Sequence, residues 1–288
     1  MSSLDSILAR MRVRATVFHN GHYCGGWSVD TSGTKNMNFH VVTHGQCYLQ
    51  TGDIKTLLTT GDAVFFPNDA RHTLLANPQV ETEVNSVKSM PMQEPMEKDA
   101  VALVCGYFEP QTPFFSSFSN YFPEVIILHH NESKDSGVLI NLLITEAKRA
   151  EQNNNALLDR FADCLFYLLL RDHCSKEDGL FAALSHPKLG KAMNLIHNSS
   201  GASLTLDAMA KAAGMSRSAF ANTFKETLGQ SPKEYLTQWR MSQAYDWLAE
   251  EGMSTLEAAI KSGYENEASF AKAFKRVIGM GPGSVRTK

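Results

Sequence analysis

Phe224-Lys225-Glu226-Thr227-Leu228-Gly229-Gln230-Ser231-Pro232 recurs 50 residues later as Phe274-Lys275-Arg276-Val277-Ile278-Gly279-Met280-Gly281-Pro282. The shared pattern is Phe-Lys-x-x-apolar-Gly-x-x-Pro. It extends upstream: Ala210 and Gly214 lie four apart, as do Ala259 and Gly263, and the pairs Phe220/Phe224 and Phe270/Phe274 have the same spacing. An internal repeat of this kind marks a structural unit used twice.

The repeated positions are those that two short helices crossing steeply over a tight turn require. A small residue, Ala210 or Ala259, belongs where the helices touch. A residue tolerant of positive φ, Gly214 or Gly263, belongs in the turn. Ser216 and Asn266 are suited to cap the second helix of each pair. Phenylalanines at i and i+4 anchor that helix to the core, and Gly229 or Gly279, followed by proline, ends it. Between the units, Glu234 to Glu250 reads as one long helix, with Leu236, Arg240, Ala244, Trp247 and Leu248 at helical spacing. Two helix-turn-helix units on a rigid connector can enter successive major grooves, which lie about 34 Å apart on one face of DNA.

With the phenylalanines inward, the first reading helix presents Arg217, Ser218, Ala221, Asn222 and Lys225. The second presents Glu267, Ser269, Ala271, Lys272, Lys275 and Arg276. Asn pairs bidentately with adenine, Lys donates to guanine, Glu accepts from cytosine, and a short Ala meets a thymine methyl. Asn222 and Lys272, each two positions beyond a buried Phe, are the expected base readers. Lys225, Lys275 and Arg276, near the helix ends, are expected on phosphate. Charge agrees: the chain has a net charge of −3, yet residues 187–288 carry 13 Lys and Arg against 9 Asp and Glu, a net of +4. A basic third on an acidic body suits a polyanionic partner.

Upstream, residues 12–108 read as short β-strands broken by turn signals such as Asn20-Gly21, Gly61-Asp62 and Pro67-Asn68-Asp69. Lys88 to Asp99 reads as an exposed loop. From Pro113 to His173 the period becomes helical, with Val138, Leu142 and Leu143 on one helix. Leu157, Leu158, Phe161, Leu165, Leu168 and Leu169 form a stripe on the next. That stripe, with Phe166, predicts dimerisation. Asp172 to Gly179 is polar and reads as linker. Five scattered cysteines without a CxxC pair fit a reduced, cytoplasmic compartment. No apolar run is long enough to span a membrane, and the first residues do not read as a signal peptide.

On these motifs the C-terminal hundred residues resemble the AraC/XylS regulators. The match is carried by Ala259, Gly263, Tyr264, Phe270, Phe274, Lys275, Gly279 and Pro282, and by Arg240 to Leu248 in the connector. The resemblance implies sequence-specific binding of double-stranded promoter DNA, usually as a homodimer, with RNA polymerase as a further partner. Arg12-Val13-Arg14, Cys24-Gly25-Gly26-Trp27, Phe39-His40-Val41-Val42, Gly61 to Pro67, His72 and Cys105-Gly106 resemble cupin-type sensor domains. That implies a β-barrel whose mouth holds a small-molecule effector.

The fold expected is therefore α+β and multidomain. A cupin-like barrel spans 1–110, a helical dimerisation segment 111–175, a linker 176–185 and an all-α DNA-binding domain 186–288. An alternative reading is a metal-dependent cupin enzyme with a DNA-binding appendage. His40 and His44 share a strand face and could pair as ligands. A different metal reading uses Cys24, Cys47 or Cys105 with His40 or His72, since thiolate and imidazole suit zinc, and the candidates carried forward are Cys24, His40, His72 and Cys105. Against catalysis, the His-x-His and following Glu of enzymatic cupins are absent, as are a G-x-S-x-G, a P-loop and an H-E-x-x-H.

Overall fold

A computed structural model describes residues 3–80, 88–113, 122–131, 134–150, 155–173, 179–199 and 204–285. The chain forms two compact units. One comprises residues 13–109 and 122–174; the other comprises residues 1–12, 110–121 and 175–288.

Among the described residues the first unit has ten strands, β1 (Val13–Tyr23), β2 (Ser28–Asp30), β3 (Met37–His44), β4 (Gln46–Thr51), β5 (Ile54–Thr59), β6 (Ala63–Phe66), β7 (Thr73–Leu75), β8 (Met90–Pro91), β9 (Val101–Pro110) and β10 (Ile126–Leu128). They form a six-stranded sheet, ordered β10-β6-β3-β9-β1-β8, and a four-stranded sheet, ordered β2-β7-β4-β5. Both contribute to one core that includes Trp27, Val42, Cys47, Leu49, Phe66, Leu74, Leu103 and Cys105. The expected barrel is thus two sheets over a shared core, cupin-like but not closed. β8 falls inside the expected loop at 88–99 and pairs with Gly21 and His22. β10 interrupts the stretch expected to be helical, because Ile126 to Leu128 finds an open edge on β6.

Among its described residues this unit also has two helices, α2 (Lys134–Arg149) and α3 (Ala156–His173), numbered after a short α1 at Ser3–Leu8. The β8 pairing stops at Gly21, so the N–H groups of the earlier half of β1 need other acceptors. Asp163 and Asp159, four apart on α3, accept from Ala15 N and Val17 N at 2.6 and 2.8 Å. This docking buries the helix's apolar stripe. Leu158, Leu165, Phe166 and Leu169 are at most 4% exposed, and Phe166 lies 5.0 Å from the Phe108 ring. The stripe expected to drive dimerisation is therefore largely internal. Of that stripe Leu157 is exposed, and on α2 Val138 and Leu142 are exposed too.

The second unit is helical: α1, then α4 (Gly179–Ser185), α5 (Leu189–Asn198), α6 (Leu206–Ala212), α7 (Arg217–Leu228), α8 (Pro232–Ala249), α9 (Thr255–Lys261) and α10 (Glu267–Ile278), with a 3₁₀ turn at Pro282–Ser284. Of the expected linker, residues 176–178 lie outside the described residues, and 179–185 form α4. The helix boundaries follow the sequence signals. Ser216 Oγ accepts from Ala219 N, and Asn266 Oδ1 accepts from Ser269 N. Ser231 with Glu234 and Ser254 with Glu257 form capping boxes that start α8 and α9. Gly214 and Gly263 hold the two turns at φ 62° and 84°. Gly229 and Gly279 end α7 and α10 in the left-handed conformation. A side chain with a Cβ at such a position costs about 1–2 kcal/mol.

Candidate nucleic-acid interface

Each repeat makes one helix-turn-helix, α6–α7 and α9–α10, with its own apolar core. In the first, Phe220 and Phe224 are fully buried and Phe224 meets Tyr235 of α8 edge-on, 5.7 Å between centroids. In the second, Phe270 and Phe274 pack with Met241, Ala244, Trp247 and Leu248 of α8 and with Ala258, Ala259 and Ile278. The connector thus divides its buried side chains between two cores, its first half serving one unit and its second half the other. Its 18 residues span about 27 Å at 1.5 Å per residue.

Burying the phenylalanines fixes what α7 and α10 show to solvent. Arg217, Ser218, Asn222 and Lys225 are exposed on α7, and Ala221 is half-buried. On α10, Glu267, Ser269, Lys272, Lys275 and Arg276 are exposed, and Ala271 is half-buried. Both helices therefore carry a polar face with one recessed alanine at the matching position. Arg217 lies 3.6 Å from Asp207 of α6, but both side chains are about two-thirds exposed, so solvent screens the pair and leaves the guanidinium available. The Glu234 carboxyl at the start of α8 is held below its usual range, first by hydrogen bonds from Ser231 and then by the nearby charges of Lys225 and Arg276. One exposed carboxylate thus feels the basic ends of both reading helices.

The candidate ligands in the double-sheet unit are only partly brought together. His40 and His72 meet, Nε2 to Nε2 at 3.0 Å, and Thr31 Oγ1 lies 3.0 and 2.9 Å from them. Both rings are 1% exposed and burial holds both below the usual imidazole range. The His72 Nδ1–H donates to the Ala70 carbonyl at 2.7 Å, which leaves its Nε2 as an acceptor. Thr31 escaped the sequence reading because a lone Thr before a Ser-Gly turn carries no periodic signal.

The thiols do not join this group. Cys105 is buried in the core near Cys47, and burial raises both thiols, that of Cys47 to about 12, which disfavours the thiolate a metal needs. Cys24 is half-buried and unpaired with any disulfide partner. His44 is exposed: the β3–β9 register shifts between Val42 and His44, so the expected common face with His40 is lost. Among the described residues, no three His, Cys, Asp or Glu side chains gather as a metal site.

Two helix-turn-helix units on one shared connector define a DNA-binding transcription regulator. Residues 3–175 match the cupin family and residues 209–288 a helix-turn-helix domain. The chain belongs to the cupin family through its N-terminal part and carries an AraC-type DNA-binding domain. Among its relatives, an uncharacterized HTH-type transcriptional regulator of Haemophilus influenzae is 24% identical, covering 89% of this chain and 88% of that one. A putative AraC-like transcription regulator of Streptomyces lividans is 26% identical over the same shares. A solved AraC-type transcriptional regulator from Chromobacterium violaceum is 26% identical, covering 36% of this chain and 93% of the other, with a TM-score of 0.35.

Proposed function

We propose that this regulator reads two adjacent major grooves of promoter DNA from one chain, with α7 in one groove and α10 in the next. The observation that carries this is the matched exposed faces of two capped helices on opposite halves of one connector. Asn222 and Lys272 are the base readers in this reading. Arg217, Ser218, Ala221, Glu267, Ser269 and Ala271 line the groove walls, and Lys225, Lys275 and Arg276 meet phosphate.

The double-sheet unit serves recognition of a small molecule rather than turnover, in keeping with relatives that are named regulators. The buried His40 and His72 imidazoles, bridged by half-buried Thr31, suit an effector with a hydrogen-bonding head. The protein acts in the cytoplasm as a homodimer through α2 and α3, supported by exposed Val138, Leu142 and Leu157, and meets RNA polymerase at the promoter. Fluorescence anisotropy on selected DNA tests the groove reading. Affinity should fall steeply with salt, and scrambling either half of the site should weaken binding. Binding that survives scrambling of one half unchanged would remove one reading helix from the interface.

A further inference from the structure

The first twelve residues of the chain belong to the same compact unit as the DNA-binding helices. Ile7 and Met11 are fully buried, and α1 packs on α5 of the first helix-turn-helix half. Two arginines then reach the far half of the connector. Arg10 forms an ion pair with Asp246, and its guanidinium stacks 5.0 Å over the Trp239 ring. Arg12 pairs with Glu250 and places Nη2 3.0 Å from Asp246 Oδ1. Asp246 on α8 and Glu250, the residue that caps its C-terminus, are four apart, so both face one side. The backbone is tied as well: the Arg10 carbonyl accepts from Thr112 Oγ1 at 3.0 Å, and the Arg12 carbonyl accepts from Gln111 N at 2.8 Å.

These contacts join parts of α8 that serve different cores. Trp239 sits against His197 of α5, 4.1 Å between ring centroids. Asp246 lies two turns on, about 10 Å along the axis, next to Trp247 of the second core. Asp246 and Arg10 are only about one-fifth exposed, and burial pushes the Asp246 carboxyl up while Arg10 and Arg12 pull it down. Such a half-buried carboxylate shared by two guanidiniums is geometrically restrictive in a way that an exposed pair is not.

We propose that residues 7–12 are a brace, with Arg10 and Arg12 as positioning residues that hold α7 and α10 at the separation needed to read two grooves at once. The brace rests on the two-groove reading above. It raises DNA affinity by pre-organising the second contact, which an unbraced chain would make with a lower effective concentration.

The test uses the full chain carrying Arg10→Ala and Arg12→Ala together, with Arg10→Lys/Arg12→Lys as a second variant that keeps charge. Binding is measured on the selected site, on sites with one or two base pairs inserted between the halves, and on a half-site. With the Ala pair, affinity for the native spacing should fall about tenfold or more, and the penalty for inserted base pairs should shrink. Half-site binding should not change, and the Lys pair should fall between. If the Ala pair fails to fold by circular dichroism, the Lys pair must still show a reduced spacing penalty. Unchanged or tighter binding by the variants, or equal losses on full and half sites, would overturn the brace. A wild-type protein indifferent to spacing would instead refute the two-groove reading itself, and the brace with it.

Discussion

Phe274→Ala should dismantle one reading unit and spare the other. Phe274 is fully buried among Phe270, Met241, Trp247, Leu248 and Ile278. A buried Phe hides roughly 150–250 Å², and losing it to alanine costs about 3–5 kcal/mol once the cavity is included. That is a large part of the stability of a domain this size. Two tryptophans report the two cores separately, because Trp247 lies in the second core and Trp239 packs at a tilt against His197 near the first. With Trp27 of the other unit also replaced, chains keeping only Trp239 or only Trp247 are unfolded in urea and followed by fluorescence. With a slope of about 1.5 kcal/mol per molar, the Trp247 transition should move down by about 2–3 M, whereas the Trp239 transition should move far less. Equal displacement of both would refute the division of α8 between two cores.

Asn222→Ala and Lys272→Ala should each cost about 1–3 kcal/mol at one base position in a binding-site selection, whereas Lys275→Ala should weaken all sequences alike and lower the salt slope by about one. Asn266→Ala removes the acceptor for Ser269 N and should lower stability by about 1 kcal/mol in thermal melts. His40 and His72 are held neutral by burial, so their folded pKa values lie below the unfolded 6.5. Below that pH the unfolded chain binds more protons and stability falls. Melts from pH 7.5 to 5 should show this loss, and His40→Gln should reduce it. Val138→Asp with Leu142→Asp should shift sedimentation toward monomer without unfolding α2, if these exposed side chains form the dimer contact.

The C-terminal half was legible because its constraints are local. Turn glycines, caps and i,i+4 phenylalanines act within a few residues, so the repeat at 224 and 274 fixed boundaries that the hydrogen bonds of Ser216 and Asn266 later matched. The N-terminal half depends on distant partners. β10 forms because β6 offers an edge, which nothing in Ile126-Ile127-Leu128 announces. The stripe on α3 pointed to an interface because its true partner, a sheet strand whose backbone N–H groups donate to Asp159 and Asp163, lies more than 140 residues earlier. His44 was misplaced by a register shift in β3, and a single extra residue in a ladder leaves no periodic mark. Arg10 and Arg12 gave no sign of their acidic partners more than 230 residues away.

Hydroxyl-radical footprinting of the full protein on a selected promoter site tests the central claim most directly. Two protected patches on one face of the DNA, about one helical turn apart, should appear, and Phe274→Ala should erase only one of them. A single patch for the wild-type protein, or loss of both patches together in the variant, would contradict two grooves read from one chain.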